Sequence, residues 1–173
     1  MPDSFVFDSV PGMKRIAYTD LQRGEILERT QWATDFSWKQ IQTLAQFMQV
    51  YEAEEGSVLF REGDGSTYMC LIVAGEVSVV KGDTHEGLKH LSTLGSGNTF
   101  GEMALVDAEP RSASVVTNKK TELLVLSQQD FTSLALETPQ LALKLIKKIA
   151  RMMSARLRKT TGALSEYLER IDK

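Results

Sequence analysis

Gly97-Asn98-Thr99-Phe100-Gly101-Glu102-Met103-Ala104-Leu105-Val106-Asp107-Ala108-Glu109-Pro110-Arg111-Ser112-Ala113-Ser114 is the stretch on which the reading of the whole chain turns. Its order of residue types predicts a strand, a glycine turn, a short helix, a loop and a second strand. Gly101 lets backbone approach a ligand closely. The amides that open the helical turn after it have no partner within the helix and point at an anion. Arg111 carries a planar fork matched to phosphate oxygens, and Glu102 is an acceptor for sugar hydroxyls. A phosphate, a sugar and an apolar base pocket can then share one loop. Taken singly, each residue also has a plainer reading. Glu102 can serve the start of the helical turn, Arg111 can be solvated or paired with Glu102, and the glycines can be ordinary turns.

Outward from this stretch, short apolar runs rich in β-branched residues alternate with glycine turns from Gly56 to Leu126. The runs are Ser57–Phe60, Tyr68–Val73, Val77–Val80, Lys89–Leu94, Ala113–Val116 and Glu122–Leu126. Many short strands at such spacing predict a mainly β fold, a jelly-roll-like β-roll, rather than an α/β sheet. A helix is expected before them, between Asp35 and Gln49, where Phe36, Ile41, Leu44, Ala45 and Met48 recur at helical spacing after the cap candidate Ser37. Residues 1 to 30 read as a polar, irregular extension broken by Pro2, Pro11, Gly12 and Gly24.

After Ser127 a short helix is expected over Gln128–Leu136, and a long one from Gln140 to Ile171. Ile146, Ile149, Met153, Leu157, Thr160, Leu164, Leu168 and Ile171 recur along it with a mean period of about 3.5, the mark of a supercoiling seam. A helix lying on its own barrel is the plainer reading. Thirty residues of helix exceed what one barrel covers, so a partner helix from a second copy is favoured. The domain reading is therefore an extension over 1–30, a roll with its leading helix over 31–139, and a dimerisation or lid helix over 140–173.

Composition excludes little and promises nothing exotic. The chain has 173 residues, 42% hydrophobic and 25% charged, with a net charge of −3. That overall charge gives no argument for nucleic acid or membrane as a partner. The single cysteine, Cys70, rules out an intramolecular disulfide and reads as a small buried apolar residue. No targeting or membrane-spanning segment is visible, so a cytoplasmic protein is expected.

The stretch from Phe100 to Ala113 resembles the phosphate-binding cassette of cyclic nucleotide-binding domains at every fixed step, including the spacing from Glu102 to Arg111. Gly56, the Phe60-Arg61-Glu62-Gly63-Asp64 turn, Tyr68 with Ile72, Gly75-Glu76-Val77 and Gly97 fall where that family places its turns and strands. The resemblance implies a β-roll flanked by helices. It implies that Arg111 binds a cyclic phosphate and that Glu102 binds the ribose 2′-hydroxyl. Backbone amides around Gly101, Met103, Ala104, Ser112 and Ala113 would complete the cradle, with the base against Val79 and Leu91. The segment Met153–Thr161 resembles the dimerisation helix of catabolite-activator-type regulators. There a threonine–serine pair contacts the adenine amine, and Thr160 and Thr161 fall on it. A threonine beside Gly162 also has solvent and backbone as ordinary partners.

Regulators of that type carry a helix-turn-helix after the dimer helix. No recognition helix and no basic patch are read here, so DNA binding is not expected. The expectation is a sensor that takes cyclic AMP or cyclic GMP as ligand, needs no other cofactor and no metal, pairs with itself, and acts through a downstream protein. Thr160-Thr161 tips the choice to cyclic AMP, and cyclic dinucleotides fit the cassette less well. Two other functions compete. A cupin-like enzyme needs clustered ligands, and His85 and His90 beside one hairpin make a poor metal set. A degenerate roll that binds only protein would be expected to have lost Glu102 and Arg111.

Overall fold

The apolar runs between Ser57 and Leu126 form two antiparallel sheets in the computed structural model, which describes Phe7, residues 10–82 and residues 87–171. One sheet has five strands in the order β1 (Met13–Ile16), β2 (Gln49–Ala53), β9 (Thr121–Ser127), β4 (Tyr68–Ala74) and β7 (Thr99–Phe100). The other has four, in the order β3 (Val58–Phe60), β8 (Ser114–Thr117), β5 (Glu76–Lys81) and β6 (Lys89–Gly95). Tyr68, Cys70 and Ile72 of β4 alternate into a shared core with Leu123 and Val125 of β9, Val77 of β5 and Val115 of β8. Met69, Leu71, Leu124 and Leu126, which point the other way, are buried as well. Strands covered on both faces carry unbroken apolar runs, which is why β4 and β9 stand out in the sequence. The architecture is mainly β with flanking helices and a long terminal helix, as the cassette resemblance implies.

Helix α2 (Trp38–Gln46) starts at a reciprocal cap, with the Gln40 amide donating to Ser37 Oγ (3.3 Å) and the Ser37 amide to Gln40 Oε1 (3.1 Å). It ends earlier than its apolar spacing suggests, because Gln49 already opens β2. The first thirty residues, read as irregular, contain two elements. Strand β1 adds to the free edge of β2, with Lys14 opposite Glu52 and Arg15 opposite Tyr51. Helix α1 (Asp20–Glu28) is started by a second reciprocal cap between Thr19 and Gln22. Gly24 does not break α1; a Cβ there would stand 3.5 Å from the Trp38 ring, an ordinary contact, so the position packs beside α2. Arg23 ties the helices together by donating to the Ala45 carbonyl (2.8 Å) and the Tyr18 carbonyl (3.0 Å). Phe7 reaches the roll core edge-on to Tyr68, ring centroids 4.5 Å apart.

Helices α3 (Glu102–Asp107), α4 (Gln128–Glu137) and α5 (Pro139–Ile171) complete the chain. It divides into two units, one ending at Ser133 and one beginning at Leu134. In the second unit, Leu141, Ala142, Leu145 and Ile149 of α5 are buried, while every residue from Leu157 to Ile171 is exposed. Among the described residues, no helix is long and apolar enough to cross a membrane.

Candidate functional site

The cassette begins where β7 gives way to α3, and Gly101 makes that junction. Its φ of +78° lies in the left-handed region, which L side chains resist. Space excludes a side chain independently: a Cβ would come within 2.7 Å of Arg111 Nη1 and 2.8 Å of the Tyr68 carbonyl oxygen. Gly101 is the N-cap residue of α3 and offers no side-chain cap. The amides of Glu102, Met103 and Ala104 therefore open the helix in the manner required of an anion cradle. At its other end the short helix closes on Ala108, which takes the left-handed conformation with φ +58°.

Arg111 is brought to Gly101 by the fold, not by sequence proximity. Its amide donates to the Asp64 carbonyl (2.8 Å) and its carbonyl accepts from the Gly63 amide (2.8 Å), so the turn after β3 pins its backbone. The side chain is 4% exposed. Its guanidinium carbon sits 4.0 Å from the centroid of Phe60 and 4.3 Å from that of Tyr68, an arrangement attractive to a cation. Nε donates to Ser66 Oγ (3.0 Å), Nη1 to the Gly101 carbonyl (2.9 Å) and Nη2 to the Tyr68 carbonyl (2.9 Å). Three of the five N–H groups are thus directed to neutral oxygens. Burial pulls the guanidinium below its ordinary pKa. Arginine stays protonated through such shifts, so a fixed positive charge stands in a largely dry place. Burial raises the Tyr68 and Cys70 pKa values above their usual ranges, which keeps both neutral beside it.

Glu102, at the first position of α3, is 3% exposed. Ala104 is buried as well and Gly101, which Arg111 contacts, is half-buried, whereas Met103 is exposed. Ser112 is exposed, its hydroxyl 3.9 Å from Met103 Sδ, and Ala113 is half-buried. Lys81 donates to the Ser112 carbonyl (2.9 Å) and pairs with Glu62 (2.9 Å), tying the loop to the β5 end and the β3–β4 turn. That pairing holds the Glu62 carboxyl below its usual pKa. Val79 is half-buried against the roll core, opposite Ser92. Leu91 is 55% exposed and lies at the irregularity in the β5–β6 ladder, so the two are not cross-strand partners. His90 is exposed and within 2.9 Å of Thr93 Oγ1; His85 lies outside the described residues. No group of His, Cys, Asp or Glu suited to a metal occurs among the described residues.

Thr160 and Thr161 lie on the exposed half of α5, in the second unit. The Thr160 hydroxyl donates back to the Arg156 carbonyl (3.0 Å), the ordinary habit of a helical threonine. The residues that sequence reading left without a role are Ser66, Phe60 and Tyr68, which orient Arg111. The turn pattern around Phe60–Asp64 and the family position of Tyr68 hinted at two of them, and their contact with Arg111 spans more than forty residues.

The family model described as the cyclic nucleotide-binding domain matches residues 50–138, just over half of the chain. The chain belongs to the cyclic nucleotide-binding domain family. Within it, a solved cyclic nucleotide-binding domain from Methylobacillus flagellatus is 32% identical with a TM-score of 0.75, covering 86% of this chain and 85% of that one. The Thermus thermophilus catabolite activator protein superposes with a TM-score of 0.68 at 28% identity, over 78% of this chain and 61% of the other. By sequence, the cyclic AMP receptor protein of Thermus thermophilus is 37% identical over 57% of this chain and 46% of its own length. A cyclic nucleotide-gated potassium channel of Rhizobium etli is 40% identical over 55% of this chain and 25% of its own length. The chain thus matches less than half the length of these curated relatives.

Proposed function

We propose that the chain is a sensor that binds a cyclic purine mononucleotide at the Gly101–Ala113 loop, without chemistry on it, and passes the event through α5 to a partner protein. The observation that carries this reading is Arg111: a buried cation hydrogen-bonded to the carbonyl of Gly101, the residue that starts α3. In this reading the guanidinium and the amides of Gly101, Met103, Ala104, Ser112 and Ala113 hold the cyclic phosphate. Glu102 accepts from the ribose 2′-hydroxyl, and the base lies toward Val79 and Leu91. Cyclic AMP is favoured over cyclic GMP because Thr160 and Thr161 match a pair that meets the adenine amine in a similar family.

The exposed apolar residues Leu157, Leu164, Leu168 and Ile171 support the pairing of two copies along α5, with residues 140–173 acting as the coupling helix. Ligand and dimer contacts would then share one helix and be thermodynamically coupled. Calorimetric titration with cyclic AMP, cyclic GMP and a cyclic dinucleotide tests the ligand. Tightest binding of cyclic AMP is expected, and a native chain that binds none of them would end the sensor reading. Light scattering tests the assembly. Native chain is expected as a dimer and Leu157→Glu as a monomer, because a buried unpaired carboxylate is costly. A native monomer with and without ligand would end the dimer reading.

A further inference from the structure

The net charge of −3 conceals a segregation. Between Thr138 and Ser165 there are seven basic residues and no acidic one, while the rest of the chain has 13 basic and 23 acidic residues, a net −10. The expectation that no basic patch exists therefore fails along α5. Lys144, Lys147, Arg151 and Arg158 each stand two positions before a seam residue, namely Ile146, Ile149, Met153 and Thr160. Two positions is about 200° around an α-helix, so the basic face lies opposite the apolar seam. Lys147, Arg151 and Arg158 are exposed, and Ser154 holds the Arg158 guanidinium along the helix (2.8 Å). From Lys144 to Arg158 the face runs about 21 Å.

We propose that this face is a docking surface for an acidic helical segment of a partner protein. The inference deepens the sensor reading by giving the chemistry of the downstream partner. Lys147 and Arg151 are stacked one turn apart, an arrangement that disfavours a helix standing alone. An acidic helix alongside converts that repulsion into complementarity. Pairing of two copies along the seam leaves the basic face outward, so the partner and the second copy do not compete. A membrane fits less well: a helix lying in a bilayer surface buries its apolar face in lipid, and here that face is the seam. A membrane or a duplex would also spread over a molecule whose remaining charge is −10, whereas a partner one helix wide meets the cationic stripe alone.

The test uses the full chain and a labelled peptide of about 15 glutamate and alanine residues, long enough to follow the face. Fluorescence anisotropy at low salt compares the native protein with two variants of equal net charge. One carries Lys147→Glu, Arg151→Glu and Arg158→Glu. The other carries Lys14→Glu, Lys39→Glu and Lys119→Glu, all exposed and on the first unit. The expected result is a loss of about tenfold or more in peptide affinity for the α5 variant only, with a shallower salt dependence. No peptide binding by native protein, or equal loss in both variants, overturns the proposal. So does tighter binding of phosphatidylserine vesicles or duplex DNA than of the peptide, lost on α5 reversal. Cyclic AMP titration of the same samples keeps the two readings apart. The α5 variant is expected to bind nucleotide as the native chain does, and failure of native protein to bind it would remove the sensor reading while leaving the peptide result standing.

Discussion

The loop around Arg111 and the outer half of α5 present binding groups in opposite ways. Arg111 is 4% exposed, clasped by three hydrogen bonds and two aromatic rings, all from the first unit. Thr160, Thr161 and the leucines around them are exposed on a helix with every residue from Leu157 to Ile171 in solvent. One region is organised by its own fold before any ligand arrives. The other is left open to solvent. A charge fixed in a dry, preshaped corner loses little freedom on binding, which favours affinity. An exposed helix responds to its surroundings, which favours transmission. That division would suit the sensor proposed above, with recognition at the Arg111 loop and output through α5.

The contrast breaks most severely at Gly101. Gly101→Ala forces a side chain into a left-handed backbone and against Arg111 and the Tyr68 carbonyl. We expect a stability loss of about 2–3 kcal/mol, read by thermal or urea denaturation, together with weakened nucleotide binding. A melt indistinguishable from that of the native protein would show that the loop is not as tightly made as described. Glu102→Gln probes the same region more gently. It keeps the size and weakens the acceptor, so cyclic AMP affinity is expected to fall by about tenfold, the equivalent of ~1.4 kcal/mol, and the 2′-deoxy analogue much less. Equal losses for both nucleotides would make Glu102 a structural residue. The smallest effect is expected on α5: Thr160→Ala with Thr161→Ala weakens cyclic AMP by only about threefold, under ~1 kcal/mol, with the mass by light scattering unchanged. A loss as large as that of Glu102→Gln would erase the distinction between a preformed and an acquired part of the site.

How far the sequence foretells this molecule depends on where the deciding contact lies. Strands β4 and β9 were legible because burial on both faces demands unbroken apolar runs. The cassette was legible because its turn, helix start and arginine lie within one short segment. Strand β2 was hidden because Gln49, Glu52 and Ala53 have little strand preference and follow directly on α2. Strand β1 has four residues, too few for a period to show. Helix α1 was hidden by Gly24, although the Thr19-to-Gln22 spacing is a helix-start signal that stands in the sequence. What buries Arg111 was not legible, although its low exposure is expected from its part in the cassette. It depends on Phe60, Ser66 and Tyr68, which only the packing of β3 and β4 beside the loop brings to it.

The central claim is that Arg111 is the charge that holds a cyclic phosphate, and calorimetric titration of cyclic AMP into native protein, Arg111→Gln and Arg111→Lys tests it most directly. Removing the guanidinium also leaves the Gly101 and Tyr68 carbonyls without their donor, at about 1–3 kcal/mol, so each variant is first shown to be folded by its thermal melt. Charge-assisted hydrogen bonds contribute about 1.5–3 kcal/mol each, and the account predicts that both folded variants bind at least about tenfold more weakly than native protein. Unchanged affinity in a folded variant would contradict it.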